Sequence, residues 1–257
     1  MTTLKAPFIR RNYGRGHGYK DANGVKVPGV TTILSKGLPK PALVNWAART
    51  AAEYAVDNWD ELSTAPISER LEQIRNAPNA SKNAAALRGT KLHDAAQQLQ
   101  EQGVVDVDPE QLPLVESYLK FCQDWDLRAE HVESAVYNVT HGYAGTLDLI
   151  ATLCDGRRWL LDLKTSKGVY GDMALQQAAY RFAEFLSDDD TGHIRMPQVD
   201  AVGIVHVRAD GADLVPLTAG KEEFRAFLYV AQVAATAERL QELVHAPITP
   251  EKIEVSA

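Results

Sequence analysis

Three charged residues occupy positions where an ordinary apolar core would not place them. Asp148 lies inside the apolar segment TLDLIATL, and Asp162 lies inside WLLDLKT with Lys164 two residues later. An ionised carboxylate that is buried without a partner costs several kcal/mol or shifts its pKa, so each aspartate needs a metal ion, another cation or water nearby. The two segments therefore predict a cation shared between neighbouring strands.

Strand periodicity tests whether the two aspartates can share one site. Side chains two residues apart point to the same face of a strand, so Asp162 and Lys164 share a face, and Asp148 joins them only across a loop with an odd number of residues. A two-residue Asp-Gly turn would place the aspartates on opposite faces. We expect Cys154 to pair with Arg158, or else a five-residue loop in the same register.

Two predicted helices carry further side chains that can reach this site. His93 lies in RGTKLHDAA on a helix predicted over 81–102, and an imidazole beside carboxylates gives a mixed ligand set that suits Mg²⁺ or Mn²⁺. Gln176 and Tyr180, four residues apart on the helix after the Asp162 strand, share a helix face. Each has a plainer interpretation, because a lone histidine on an amphipathic helix is more often a hydrogen-bonded boundary residue and the tyrosine also fits an ordinary core.

Four motifs in this order resemble those of RecB-like nucleases in the PD-(D/E)xK superfamily. They are RGTKLH at 88–93, GTLDLI at 145–150, LLDLKT at 160–165 and QQAAY at 176–180, and PGVTTIL at 28–34 is similar to N-terminal sequence in phage-encoded members. Four ordered motifs are far more specific than a lone DxK. The resemblance implies an α/β fold with a restriction-endonuclease-like core, in which a central mixed β-sheet is flanked by helices.

The resemblance implies a role for each matching residue at the predicted cation site. His93, Asp148, Asp162 and the backbone carbonyl of Leu163 would ligate the metal, and both aspartates would be catalytic. Lys164 would orient or activate the attacking water. Water would attack the scissile phosphorus in line while divalent ions neutralise charge on the phosphate oxygens.

Further residues receive a role together with a plainer alternative. Gln176 and Tyr180 match the QxxxY motif, whose implied role is to position DNA or to support the active site. Arg88 could contact a phosphate of the DNA, although arginines on helix surfaces are commonplace. Glu133 opens the first predicted strand and could reach a second metal or a water, yet glutamates at strand ends are usually solvated. Gly145 could permit a tight approach of the chain just before Asp148.

The resemblance also implies an activity, cofactors and partners. We expect a DNA nuclease that depends on Mg²⁺ or Mn²⁺, serves replication, recombination or repair, and is compatible with a phage origin. Exonuclease action on DNA ends or single strands is favoured. Partners would be DNA and a recombinase, single-strand-binding protein or helicase, and an oligomer is compatible with the family. Some relatives hold an iron–sulfur cluster with four cysteines; this chain has two cysteines, so no cluster is expected.

Two other functions stay open. The first is a catalytically inactive nuclease-fold protein that binds DNA ends or serves as a scaffold, although a scaffold has no physical need for buried acids around a cation. A cleavage assay with and without EDTA separates it from a nuclease. The second is a different metal hydrolase that acts on nucleotides or small phosphoesters.

Composition restricts the class of protein. Of 257 residues, 45% are hydrophobic and 24% are charged, which is typical of a globular chain, and no apolar run is long enough to cross a bilayer. We expect a cytoplasmic protein without a membrane partner. The net charge of -7 argues against a protein that simply coats nucleic acid, but it does not exclude a nuclease, since a metal site needs local carboxylates.

The elements that must position these residues follow from apolar periodicity and turn residues. Residues 1–80 would form an arm and helices packing on a nuclease core at 81–257, as one continuous domain. The basic stretch at 10–29, with Arg10, Arg11, Arg15 and Lys20, would be an extended arm or loose hairpin that either tracks the DNA backbone or is a disordered terminus. Helices are predicted at 42–58, 66–75, 81–102, 109–125, 172–186 and 221–244, strands at 132–139, 146–153, 159–164, 199–208 and 212–217, a short β-branched run at 30–34, and an acidic loop at 187–192.

Overall fold

Two β-sheets, of three and seven strands, and seven α-helices make up the part of the chain that the structure describes. The structure is a computed structural model, and it describes residues 8–13, 16–21, 23–103, 107–188 and 192–247. The elements in chain order are β1 Phe8–Tyr13, β2 Gly16–Asp21, β3 Lys26–Val27, α1 Val30–Gly37, α2 Pro41–Asp57, α3 Trp59–Thr64, α4 Ile67–Gln102, α5 Leu112–Asp124, β4 Arg128–Asn138, β5 Tyr143–Thr152, β6 Arg158–Lys164, α6 Asp172–Arg181, β7 Phe185–Asp188, β8 Gly192–Arg195, β9 Ala201–Arg208, β10 Gly211–Pro216 and α7 Lys221–Arg239, followed by a 3₁₀ turn at Leu240–Leu243.

The seven-stranded sheet has the order β10-β9-β6-β5-β4-β7-β8. Strands β6 and β9 are parallel, and every other neighbouring pair is antiparallel. Helices α1, α6 and α7 cover one face of the sheet, while α4 and α5 cover the other, so that each face has its own apolar core. A mixed sheet flanked by helices, with a helical N-terminal section, confirms the predicted fold class.

The loop between β5 and β6 has the odd length that a shared aspartate site requires. Thr152 pairs with Arg158, which leaves a five-residue loop, and the pairing ends at Leu149 and Leu161, each next to an aspartate of the site. The predicted pairing of Cys154 with Arg158 is wrong, because Arg158 pairs with Thr152, whereas the alternative loop length of five residues is confirmed. The backbone N–H of Cys154 instead donates to the carbonyl of Trp125 at 2.7 Å, which takes this residue out of the β5–β6 ladder.

Strand β5 breaks its alternation at Asp148. Leu147 packs in the core beneath α6, whereas Leu149, two residues on, packs in the core beneath α4. Opposite this point Glu133 in β4 has a φ of 44°, in the left-handed region that side chains other than glycine rarely adopt. The two acids therefore stand where the sheet is locally irregular, and irregular positions in a strand can aim side chains away from the regular pleat.

The segment predicted as a short β-branched run is a helix. Val30, Ile33 and Leu34 are all buried, and their spacing of three and four residues places them on one helix face against the core shared with α7. The β-branched composition was outweighed by this helical periodicity, since tertiary burial overrides weak intrinsic propensity.

Helices 66–75 and 81–102, predicted as separate, are one 36-residue helix, α4. Pro78 lies inside it, although proline removes one backbone hydrogen bond and usually breaks a helix. Ser81, the first residue of the second predicted helix, is an interior residue of α4. An alanine-rich sequence after Pro78 and the contacts with α2 accompany this continuity. The division drawn at residue 80 thus falls within a helix.

Two further boundaries differ from the prediction. Helix α6 ends at Arg181, before the predicted 186, because Leu186 pairs with Val136 and thereby adds β7 to the edge of the sheet. The predicted acidic loop coincides with the β7–β8 hairpin, of which residues 189–191 lie outside the described residues. Helix α7 ends at Arg239 rather than at 244.

Residues 41–91, which we call the helical arm, differ from the rest of the fold in their burial. They comprise α2, α3 and the first part of α4, and the structure describes all of them. Helix α2 has no buried residue, α3 has Leu62, and burial in α4 begins at Leu92. The helical arm is therefore held by contacts between its own helices, chiefly α2 with α4.

The predicted N-terminal hairpin is present as strands β1 and β2, with β3 as a third strand. Tyr19 donates to or accepts from Thr146 through their hydroxyl oxygens, 2.7 Å apart, and Phe8 packs edge-on against Tyr137. These contacts fix the small sheet against β4 and β5, so the alternative of a disordered terminus is wrong for residues 8–13 and 16–21. Arg15 lies outside the described residues.

Candidate metal centre

Three side chains from three different elements converge at the irregular point of the sheet. His93 from α4, Glu133 from β4 and Asp148 from β5 each offer a ligand atom, and these atoms all lie within 4.8 Å of one another. The His93 Nδ1 atom is 3.3 Å from Glu133 Oε1 and 3.5 Å from Asp148 Oδ2. The Nε2 atom of the same ring is 3.1 Å from the backbone oxygen of Leu163. The predicted ligands His93, Asp148 and Leu163 are thus brought together.

Helix α4 sets the height of His93 above the sheet. Leu92, Ala95 and Ala96 are buried against the core of β5 and β6, so the ring of the intervening His93 is fixed at the margin of that core. Beneath the ring is a cavity of about 10 Å³ lined by His93, Glu133 and Asp148 among others, which holds roughly one water or ion. A nitrogen, two carboxylates and a carbonyl around such a space fit a hard divalent cation.

The electrostatics of this group indicate a site made for positive charge. Burial by itself acts to lower the pKa of His93, but the carboxylates of Asp148 and Glu133 outweigh it and raise that pKa to about 9. Near neutral pH the imidazole therefore carries a proton that lies between the two acids. A divalent cation bound to the ring would have to displace that proton.

Asp162 lies beside this group and has partners of its own. The carboxylate is fully buried; its Oδ1 atom accepts a hydrogen bond from Gln176 Nε2 at 2.9 Å, and its Oδ2 atom forms an ion pair with Lys164. Asp162 is outside the group of three around His93, so its predicted role as a metal ligand stays a proposal. Asp148 links the two halves of the site, because its Oδ2 atom accepts the backbone N–H of Leu163 at 2.7 Å.

The acids and Lys164 change one another's ionisation. Burial and the neighbouring Asp148 charge raise the pKa of Asp162 to about 6, against the opposing effect of Lys164. For Lys164, burial acts to lower the pKa, yet the charges of Asp162 and Asp148 prevail and raise it above its usual value. Lys164 therefore stays an ammonium ion, which suits stabilisation of negative charge better than removal of a proton.

Tyr180 is buried, and it contacts the site through Gln176. Its side chain is 2% exposed, and its hydroxyl oxygen is 3.3 Å from Gln176 Nε2, the same nitrogen that donates to Asp162. Of the two roles implied for this pair, direct contact of Tyr180 with DNA is incompatible with this burial. Gln176 is partly exposed, and it orients the Asp162 carboxylate.

Gly145 leaves room for the ring of Tyr180 to pack on the sheet, a contact that was not predicted. A Cβ atom at this position would lie 2.4 Å from Cε1 of the Tyr180 ring, closer than atoms can approach. Only glycine therefore lets the ring pack on β5 and place its hydroxyl beside Gln176.

Two residues have a larger structural part in the site than the sequence indicated. Glu133 was given only as a residue that could reach a second metal, yet it belongs to the group around His93. Arg10, which was predicted only as part of a DNA-tracking arm, donates from Nη1 to the Glu133 carbonyl oxygen at 3.4 Å. The available signal was an acid within the strand HVESAVYN, whose position opposite Asp148 becomes evident only from the β4–β5 register.

The remaining predicted residue, Arg88, is exposed on α4 five positions before His93. Its neighbour Gly89 lies near Thr165, where a Cβ atom would be 3.6 Å from the threonine hydroxyl, so this turn of the helix passes over the end of β6. His206 on β9 is not among the three grouped side chains. Its Nε2–H donates a hydrogen bond to the Ser166 backbone oxygen at 2.7 Å and thereby holds the loop after Lys164.

Comparison with known proteins does not assign this chain to a family. A scan of protein-family models and a search of curated proteins each found no match. A solved structure, the crystal structure of SSO0001, aligns over 88% of this chain and 86% of that chain at 17% sequence identity, with a TM-score of 0.33. A likeness of this size carries no argument about function. Within the described residues, no helix has the length and apolar character needed to span a membrane.

Proposed function

We propose that this chain is a divalent-metal-dependent DNA nuclease of the PD-(D/E)xK type. The observation that carries the proposal is the convergence of His93, Glu133 and Asp148 beside the buried Asp162–Lys164 pair. Such a group of acids, one imidazole and one ammonium is expected where a phosphodiester is hydrolysed with the help of a metal, and it has no evident purpose in a purely structural sheet.

His93, Glu133, Asp148 and the Leu163 carbonyl would hold the ion, with Asp162 as a further ligand once Gln176 has oriented it. A divalent ion bound there supplies charge neutralisation at the phosphate and a lower pKa for bound water. Mg²⁺ or Mn²⁺ suits these donors.

The protein's own groups supply the positioning. Lys164, held as an ammonium ion beside Asp162, adds positive charge where negative charge develops on the phosphate and orients the attacking water by donating to it. The Gln176 amide and the Tyr180 hydroxyl keep the Asp162 carboxylate in one orientation. The chemistry needs no serine or cysteine nucleophile, because phosphoryl transfer asks the protein mainly for positioning and charge stabilisation.

Exonuclease action on DNA ends or single strands, and work beside a recombinase, single-strand-binding protein or helicase, belong to the same proposal. They rest on the resemblance of the four motifs. Digestion of end-labelled linear, circular and single-stranded DNA with Mg²⁺ and with Mn²⁺ distinguishes an exonuclease, which spares the circle, from an endonuclease, which cuts it.

Lys164→Ala is the decisive variant in the same assay. We expect cleavage to fall by about 10²–10³-fold or more, because one preorganised charge is lost at the transition state, while Mn²⁺ binding measured by calorimetry is retained. Lys167→Ala is the matched control, since Lys167 is exposed three residues further along.

Two results would count against the proposal. If the wild-type chain cuts no DNA with either ion, the nuclease function is wrong. If Lys164→Ala cuts at the wild-type rate, the role of Lys164 is wrong.

A further inference from the structure

Positive charge is concentrated on one part of α4, although the protein is acidic overall. Residues 73–93 contain Arg75, Lys82, Arg88 and Lys91 and no aspartate or glutamate, whereas the whole chain has a net charge of -7. This part of α4 runs from the helical arm to the candidate metal ligand His93. A local basic surface on an acidic protein marks a place for an anionic partner.

Two of these cations lie on the same helix face as His93. An α-helix turns about 100° per residue, so Lys82 is within about 20° of Arg75, and His93, eighteen residues beyond Arg75, returns to its direction. At about 1.5 Å per residue, Lys82 is roughly 16 Å and Arg75 roughly 27 Å from His93 along the axis. The face that points into the metal centre at one end therefore presents two cations at the other.

Neither cation is engaged within the protein. Arg75 and Lys82 are exposed, and the ion pairs of the described residues involve neither of them. Lys91, by contrast, is paired with Asp108. The partly buried positions of this part of α4, such as Ile74 and Ala77, lie on a different side of the helix.

The side chains between the two cations and His93 on this face are small. They are Asn79, Ala86 and Gly89, so an extended chain could lie close to the helix surface. The face has no large apolar residue between Arg75 and His93, which disfavours a protein partner, since protein interfaces have an apolar centre. Regularly placed cations without such a centre are what a phosphate backbone requires.

We propose that this face of α4, which we call the basic track, binds the sugar-phosphate backbone of the DNA strand that enters the metal centre, with Arg75 and Lys82 as its phosphate contacts. The inference rests on the proposed nuclease function and adds to it the path of the substrate. Its warrant is charge complementarity on a face continuous with His93. The helical arm then extends the DNA contact well beyond the scissile phosphate.

The test is the double variant Arg75→Gln/Lys82→Gln. Binding of a fluorescent single-stranded 20-mer is measured by anisotropy with Ca²⁺ in place of Mg²⁺, over a series of salt concentrations. We expect affinity about tenfold weaker than wild type, and a slope of log K against log salt that is smaller by about 1.4, because each phosphate contact on a single strand contributes about 0.7.

Two further variants control for folding and for general charge. Arg225→Gln/Arg239→Gln removes two exposed cations from α7 and should leave both affinity and slope near wild type. Arg75→Lys/Lys82→Arg keeps the charge and should restore binding. Circular dichroism of each variant verifies that the helices persist.

The outcomes separate this inference from the nuclease proposal. A wild-type salt slope in Arg75→Gln/Lys82→Gln, or an equal loss in the α7 control, overturns the basic track while leaving the nuclease proposal intact. DNA binding that depends on the track in a wild-type chain that never cuts DNA overturns the nuclease proposal and supports the track. No DNA binding by the wild-type chain overturns both.

Discussion

In the seven-stranded sheet, the five central residues of β6 are all buried, whereas α2 in the helical arm has no buried residue. The sheet can therefore hold ionised groups in fixed positions, because tight packing on both faces restrains each side chain. The helical arm has few such restraints, and its exposed surface is free to bind. Under the two proposals, chemistry would take place in the tightly packed sheet, and a long substrate would contact the loosely packed helical arm.

The sheet and the helical arm should differ most in how much a substitution lowers the free energy of unfolding. Leu161→Ala in β6 should lower the free energy of unfolding by about 2–5 kcal/mol, because it leaves a cavity in a fully buried position. Leu71→Ala in the helical arm, at a side chain 63% exposed, should change it by less than about 0.5 kcal/mol. Urea denaturation measures both, and similar losses for the two variants would show that the helical arm is covered in solution.

A second difference concerns pH, because the candidate metal centre in the sheet should bind its ion in a pH-dependent way. The raised pKa of His93, about 9, means that a cation competes with a proton, so Mg²⁺ affinity should rise with pH and level off above about 9. Between pH 7 and pH 9 the gain expected for one such proton is roughly 50-fold. Calorimetric titration at a series of pH values measures it.

His93→Gln is the control for this pH dependence. It should bind Mg²⁺ more weakly and without the rise between pH 7 and pH 9. In the metal-free protein the sign is reversed: a raised pKa contributes stability that is complete below the usual histidine value of about 6.5 and is lost as pH rises through 9. Mg²⁺ affinity that is flat over this range in the wild type would contradict the assignment of His93 as a ligand.

The smallest effect is expected where Tyr180 packs on the sheet. Gly145→Ala should lower stability by about 1–3 kcal/mol, because the added methyl group would meet the Tyr180 ring at 2.4 Å. Gly171→Ala is the control, since a Cβ atom there has no neighbour within 4 Å. Thermal denaturation compares the two, and DNA cleavage by Gly145→Ala reports whether the displaced ring also disturbs Asp162. A Gly145→Ala variant as stable as the wild type would mean that Tyr180 packs more loosely than the structure indicates.

Much of the sheet could be predicted from sequence. The β4, β5 and β6 segments are apolar and β-rich, and a simple parity argument anticipated the odd loop between Asp148 and Asp162. The helix at 30–37 and the strands β7 and β8 could not be predicted in the same way. Their structure depends on packing against α7 and on pairing with β4, which are long-range contacts that a local pattern does not contain.

The site was predicted in part for the same reason. Asp148, Asp162 and Lys164 stand out because charge interrupts an apolar strand, and His93 stands out by its motif. Glu133 does not, since its part depends on the β4 register and on a left-handed backbone that no local pattern indicates. Tyr180 was equally ambiguous, because its burial becomes evident only with the ring packed on Gly145.

The continuity of α4 has a consequence for how such a chain can change in length. Arg75, Lys82 and His93 lie on one continuous helix. Inserting a single residue between Lys82 and His93 would therefore rotate the two cations by about 100° around the helix axis relative to His93. Seven inserted residues would bring the two cations back to within about 20° of their original direction and move them about 10 Å further from His93 along the axis. The helical arm can therefore grow or shrink only by lengths close to a whole number of helical turns, such as seven or eleven residues, if Arg75 and Lys82 are to keep their direction relative to His93.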